Sequence, residues 1–432
     1  MNRILPIITL LLSFALVANA QTGTWTGKAE AQGSKITFVF HLDGDQPTVD
    51  FPDRSVKGIA ISVERTDMGK VIIRIPMIGA TYEGLWLGKK IVGSFTQMGQ
   101  SLPLTLTPGE EKPNRTQNPQ GPFPYSTEEV SYTNGEAVLQ GTLVLPDGYS
   151  RKTPVLIFVS GSGQEDRDET IFEHKPFAVI ADALGRAGIA TLRCDDRGVG
   201  GSTGDVLNAT TEDFRDDALA GVKLLRERFD KVGVIGHSEG GTIALMLAAG
   251  KQVDFIVSLA GMAVSGLETL VAQNRTLLLS AGYSEDVVEV YCKAMGQACD
   301  VRLHGGKMPL PDELDLPDEL KQNYQVMITQ LQLPWMKKFL SLDMRPLLGC
   351  ITCPVLALNG TKDVQVDYES NIGALQKGLP ANPGSRIEAI EGVNHLFQHC
   401  NTGAVTEYWQ IEETIAPEVL EIIVKWLLSF AE

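Results

Sequence analysis

From residue 35 to residue 95 the chain alternates apolar and polar positions in short runs cut by glycine. KITFVFHL at 35–42 sets Ile36, Phe38, Phe40 and Leu42 on one side of a strand, and VIIRIPMI at 71–78 and KIVGSF at 90–95 continue the theme. A period of two over half-polar runs predicts a small antiparallel all-β domain over 21–108. GEEKPNRTQNPQGPFP at 109–124 has no apolar period and is rich in Pro, Asn, Gln and charge, so 109–125 reads as a linker. Beyond it the rhythm changes to unbroken apolar runs separated by helical stretches. AVLQGTLVLP at 137–146 reads as a leading antiparallel strand. VLIFVSG at 155–161, IATLRCDD at 189–196, KVGVIGHS at 231–238, DFIVSLAG at 254–261, PVLALNG at 354–360 and RIEAIEGV at 386–393 follow. Such runs belong to strands covered on both faces, which predicts an α/β fold over 126–432, a mostly parallel sheet with helices on both sides. Between Gly261 and Cys353 the alternation stops, and helices are predicted near 266–281, 284–298 and 318–331. An insertion at about 262–349, lying between two strands, projects over the carboxyl ends of the sheet where ligands bind, and so predicts a helical cap. EVLEIIVKWLLSF at 418–430 predicts an amphipathic terminal helix.

Composition narrows the class. With 43% apolar residues over 432 positions the chain can bury a large core, and 53 acidic against 37 basic side chains give a net charge of −16. That charge repels phosphate backbones and anionic lipid, which excludes a nucleic-acid role. At the N-terminus Arg3 precedes an apolar run from Ile4 to Val17 and a small-x-small site, Ala18-Asn19-Ala20. This predicts a signal peptide over 1–20 and export to the periplasm or the extracellular space. The run is shorter than the ~20 residues of a bilayer span and no cysteine follows the cleavage site, so no stable membrane anchor is expected. Export would allow disulfides among Cys194, Cys292, Cys299, Cys350, Cys353 and Cys400, whose pairing cannot be read from the sequence. Cys350 and Cys353 have the spacing of a redox or half-zinc motif but lack a second pair of ligands and precede an apolar strand, so they read as a structural or incidental pair.

The candidate chemistry centres on GHSEG at 236–240. A strand ending at Ile235 would turn sharply at Ser238 into a helix beginning near 242, and Gly236 and Gly240 leave room for that turn. A serine hydroxyl becomes a nucleophile only when a base takes its proton, so a histidine must stand nearby. Of the six histidines, His41 lies in the β domain, His237 occupies the variable position of the motif, His304 lies in the insertion and His174 lies near the first helix. His395, just past the last strand in GVNHLF, is the predicted general base, with His399 as competitor. Asp363, three residues past the strand PVLALNG, is the predicted orienting acid, with Asp367 as alternative. The oxyanion that forms needs fixed donors. The backbone N–H of Glu239 at the helix start and that of Ser162 in the loop SGSGQEDRD at 160–168 are chosen, with Gly163 as the alternative to Ser162. The Glu239 carboxylate itself reads as a favourable anion in a first turn. Asp195, Asp196 and Arg197 could pair with Asp166, Arg167 or Asp168 to fix the oxyanion loop. Trp335, Met336 and Phe339 of the insertion could line an acyl pocket.

Together GSGxxDRD, DDRGxGxSxG, GHSEGG, NGxxDxQV and GxNHLFQ resemble the bacterial carboxylesterases often classed as serine aminopeptidase-like α/β-hydrolases, over about 126–432. The resemblance implies that the family's serine, aspartate and histidine fall on Ser238, Asp363 and His395. It also implies an α/β-hydrolase fold and a small-molecule ester substrate. The expectation is a secreted serine esterase acting through an acyl-enzyme on short acyl chains, with no metal or organic cofactor. One alternative is an aminopeptidase with the same triad and an amine-binding carboxylate such as Glu313 or Asp318. The other is a binding protein with an inactive hydrolase domain.

Overall fold

The structure is a computed structural model that describes residues 23–31, 34–54, 56–66, 69–110 and 112–430. The predicted signal peptide lies outside the described residues. The chain divides into two compact units, one holding the described residues up to Asn114 with Tyr408–Gln410, the other Arg115–Glu407 with the described residues from Ile411 onward.

The first unit is a nine-stranded antiparallel sheet. Its strands are β1 (Thr24–Ala31), β2 (Ser34–His41), β3 (Thr48–Phe51), β4 (Val56–Ala60), β5 (Ser62–Arg65), β6 (Lys70–Ile75), β7 (Ala80–Trp86), β8 (Ile91–Gln97) and β9 (Gln100–Pro108). They lie in the order β4-β3-β2-β1-β9-β8-β7-β6-β5. Phe38, Phe40 and Leu42 are buried together with Trp25, Ile73, Tyr82, Ile91 and Leu106, the alternation read from the sequence. The buried Tyr82 hydroxyl is satisfied by the carbonyls of Ile91 and Leu104.

The second unit carries an eight-stranded sheet. Two strands open it, β10 (Tyr125–Asn134) and β11 (Ala137–Pro146), followed by β12 (Val155–Val159), β13 (Ala190–Cys194), β14 (Val232–His237), β15 (Ile256–Leu259), β16 (Val355–Gly360) and β17 (Arg386–Ile390). The order is β10-β11-β13-β12-β14-β15-β16-β17. β10 and β11 pair antiparallel, as do β11 and β13, and every later pairing is parallel. The helices are α1 (Pro176–Arg186), α2 (Thr211–Arg226), α3 (Glu239–Ala249), α4 (Gly266–Ser280), α5 (Glu285–His304), α6 (Asp318–Gln330), α7 (Pro334–Ser341), α8 (Arg345–Leu348), α9 (Tyr368–Gly378) and α10 (Pro417–Leu428).

Successive strand residues serve opposite faces. Val155, Ile157 and Val234 join Val222 of α2, Ile243 of α3 and Leu375 of α9 in one core, while Leu156, Phe158 and Ile235 join Ile180 of α1 and Ile423 of α10 in another. Each fully buried aliphatic side chain of this kind contributes about 1.5–3 kcal/mol. α4 to α7 fill the gap between β15 and β16 and have a core of their own around Tyr291, Met295, Tyr324 and Leu340. α4 starts where a capping box forms, Glu268 N–H donating to Ser265 Oγ at 3.1 Å and Ser265 N–H to Glu268 Oε2 at 3.0 Å. Gly266, its first residue, lets α7 approach closely, since a Cβ there would lie 2.1 Å from the Phe339 carbonyl oxygen. Among the described residues no helix is long and apolar enough to cross a membrane. All six cysteines are free thiols.

Candidate active site

The parallel strands end on one side of the sheet, and the predicted site residues stand at those ends. β14 is wholly buried and runs into Ser238, whose backbone is held at φ 53 and ψ −117 before α3 begins. A non-glycine residue in so rare a conformation costs about 1–3 kcal/mol, so the packing around it must impose it. It does: a Cβ on Gly236 would lie 2.0 Å from the Gly240 carbonyl oxygen, and one on Gly240 would lie 2.0 Å from that of Val159. Only glycines let α3 fold back this tightly, leaving Ser238 at the tip of the turn.

Asp363 follows β16 in a tight turn. Its Oδ1 accepts from the N–H groups of Gln365 at 2.8 Å and Val366 at 2.9 Å, and its Oδ2 takes a hydrogen bond of 2.7 Å with His395 Nδ1. Both side chains are almost fully buried. The arrangement fixes a tautomer with hydrogen on Nδ1 and a free lone pair on Nε2. His395 is held by its own loop beyond β17. Asn394, wholly buried, accepts from the N–H groups of Leu396 and Gln398 at 3.0 Å each and donates to Gln398 Oε1 at 3.0 Å. Gln398 in turn reaches His174 Nε2 at 3.0 Å. His399 is exposed and engages Glu413 and Glu418, and Asp367 caps α9 through Ser370 N–H at 2.8 Å. Neither competitor is joined to the cluster.

Ser238 and His395 line one cavity of about 300 Å³, together with Gly161, Ser162, Glu165, Glu169, Met262, Trp335, Met336 and Phe339, among others. The structure thus brings the three insertion residues named from the sequence to the same cavity as the serine. Glu313 instead pairs at the surface with Lys307, and neither it nor Asp318 lines the cavity. Among the described residues no cluster of His, Cys, Asp or Glu is arranged to hold a metal ion.

The loop after β12 is strapped down from two sides. Arg167 binds Asp195 through Nη2 at 2.8 Å and Nε at 3.1 Å, and Asp196 accepts from Ser160 Oγ at 2.6 Å and from Glu165 N–H at 3.0 Å. Arg197 does not join them; it pairs with Asp217 at 2.7 Å. Asp168 is taken by Arg193 and Lys175. Burial raises Asp196 to about 7, and burial together with Glu169 and other nearby carboxylates raises Glu165 to about 7.

Two side chains of GHSEG have partners the sequence does not announce. The Glu239 carboxylate is not a solvent-facing first-turn anion. It is 2% exposed and accepts from Thr211 Oγ1 at 2.5 Å, Ser162 Oγ at 2.8 Å and Trp335 Nε1 at 2.9 Å. Burial pushes its pKa up, and these donors oppose the rise. His237 lies between Glu169 and the carbonyl oxygen of His395. The only signal for either was their adjacency to Ser238, because the partners come from distant parts of the chain.

Esterase EstD of Thermotoga maritima is 28% identical over 309 residues, covering 71% of this chain and 69% of that protein. Among solved structures, the Pyrococcus furiosus esterase Pf2001 covers 75% of this chain and 100% of its own, with 17% identity and a TM-score of 0.47. Est1E of Butyrivibrio proteoclasticus, solved with ferulic acid, covers 69% of this chain and 98% of its own, with 20% identity and a TM-score of 0.44. The family described as the alpha/beta hydrolase family matches residues 156–407, from the second residue of β12 past the His395 loop. With its strand order, its glycine-flanked serine turn and more than half its length inside that match, the chain belongs to the alpha/beta hydrolase family.

Proposed function

We propose that this protein is a carboxylic ester hydrolase working through an acyl-enzyme on Ser238. His395 Nε2 takes the serine proton as the hydroxyl oxygen attacks the ester carbonyl, and Asp363 holds the ring and stabilises the imidazolium that forms. The N–H groups of Glu239 and Ser162 receive the oxyanion. The alcohol leaves with the proton from His395, and water, activated by the same base, releases the acid. The observation that carries the reading is the 2.7 Å bond between Asp363 and His395, a histidine that lines the same cavity as Ser238. α4 to α7 act as the cap over that cavity, and its volume of about 300 Å³ suits a short acyl chain. The apolar segment at 4–17 and the Ala18-Asn19-Ala20 site support export.

The experiment is hydrolysis of p-nitrophenyl acetate and butyrate by the Ser238→Ala variant. A loss of kcat of at least about 10³-fold is expected, and wild-type turnover would remove the nucleophile from Ser238. An aminopeptidase remains the second reading because two carboxylates, Glu165 and Glu169, line the cavity. Parallel assays on an acyl ester and an aminoacyl arylamide separate the two: turnover of the amide alone, dependent on a free amine, replaces the esterase reading.

A further inference from the structure

His237 ends β14 directly before Ser238, and the reaction above makes no use of it. It is 7% exposed, and its ring centroid lies 4.6 Å from that of His395. Nε2 is 2.9 Å from the His395 carbonyl oxygen, an atom with no hydrogen to give, so Nε2 carries one and donates it. Nδ1 is 3.0 Å from Glu169 Oε1, which also accepts the Gly161 N–H at 2.9 Å. A carboxylate oxygen has no hydrogen to give, so with Glu169 as the anion of the pair Nδ1 donates as well. An imidazole that donates from both nitrogens is an imidazolium.

We propose that His237 is a positioning residue that is protonated at neutral pH, forming with Glu169 a buried ion pair that ties the oxyanion loop to the loop carrying the general base. Three segments meet at this pair. Glu169 holds Gly161, next to Ser162; His237 sits on the serine turn; and the His395 carbonyl fixes the loop beyond β17. Glu169 has its backbone in the left-handed region at φ 52, a strained position that its partners must sustain. Burial by itself would drive the proton off His237, but the charge and hydrogen bond of Glu169, with the His395 carbonyl and Asp363, outweigh it and raise His237 to about 9. The titratable groups facing His237 are Glu169 and Glu165 from the loop after β12, Asp363 from the turn after β16 and His395 itself.

The role in catalysis rests on the triad reading; the charge state does not. The test has two arms. In ¹⁵N-histidine-labelled protein at about pH 7–8, the resonance lost in His237→Asn should carry protons on both ring nitrogens, and a neutral ring overturns the proposal. In kinetics on p-nitrophenyl acetate, Glu169→Gln and His237→Asn should each lower kcat by about tenfold or more while KM stays within about twofold, because the pair orders reacting groups and not the bound ester. A folded variant that keeps kcat also overturns it. Should His237→Asn fail to fold, the proton count on wild-type histidines and the Glu169→Gln variant decide. Labelling by a fluorophosphonate keeps the two readings apart. A wild-type chain that takes no label at Ser238 ends the triad reading alone, whereas a labelled chain with a neutral His237 ends this one alone.

Discussion

Ser238 pays for its exposure at the turn with backbone strain, and that strain can be measured. Alanine keeps the strain and glycine relieves it, so Ser238→Gly should unfold at higher denaturant than Ser238→Ala, by about 1 kcal/mol, although both lack the hydroxyl. Equal stability would mean that the φ of 53 carries no cost. Gly240→Ala should lose about 1–3 kcal/mol, read by thermal melting, because its Cβ would meet the Val159 carbonyl at 2.0 Å. His237 adds a pH dependence. Its folded value of about 9 lies above the ordinary 6.5, so its stabilisation is complete below the lower value and is lost as pH rises through the higher. Denaturation at about pH 6 and about pH 10 should show a loss in the wild type that is smaller in His237→Asn. The placement of Ser238, Asp363 and His395 was legible because each lies within a few residues of a strand end, a local pattern. The contacts of His237 and Glu239 were not. Their partners Glu169, Thr211 and Trp335 are 68, 28 and 96 residues away, and only the folded chain brings them together.

At the scale of elements, strands with unbroken apolar runs were readable and β10 was not. It is an edge strand with most side chains exposed, so YSTEEVSYTN carries little apolar signal and is held by its ten-residue ladder with β11. α7 was not among the predicted helices, because eight residues give barely two turns of period. Among its contacts are Gly266 against the Phe339 carbonyl and the Trp335 indole against Glu239. Trp335→Phe removes the donor while keeping the ring's bulk, and leaves a buried carboxylate short of one partner. It should raise KM for p-nitrophenyl butyrate several-fold, about 3- to 10-fold, with a smaller change in kcat. A change confined to kcat would mean that α7 does not shape the ester pocket.

At the scale of the molecule, the change from period-two runs to strand-and-helix alternation foretold an antiparallel β region followed by an α/β fold with a mostly parallel sheet. The first unit has its own core around Phe38, Phe40 and Tyr82, and every residue assigned a part in the reaction belongs to the second unit. A chain beginning at Asn114 should therefore keep kcat on p-nitrophenyl acetate within about threefold of the full chain, provided circular dichroism shows it folded. A folded but inactive truncation would place part of the chemistry with the first unit. The helical insertion leaves the sheet at β15 and returns at β16, the strand paired beside it. Because the two strands are parallel, the insertion leaves at the carboxyl end of β15 and re-enters at the amino end of β16, so its ends are offset by about 10 Å along the strands and ~5 Å across them, fixed by a ladder that does not depend on what lies between them. A different set of helices whose ends span that same offset could be grafted there without disturbing Ser238 or His395. In descent from a common ancestor, the choice of ester and the means of breaking it are free to change separately.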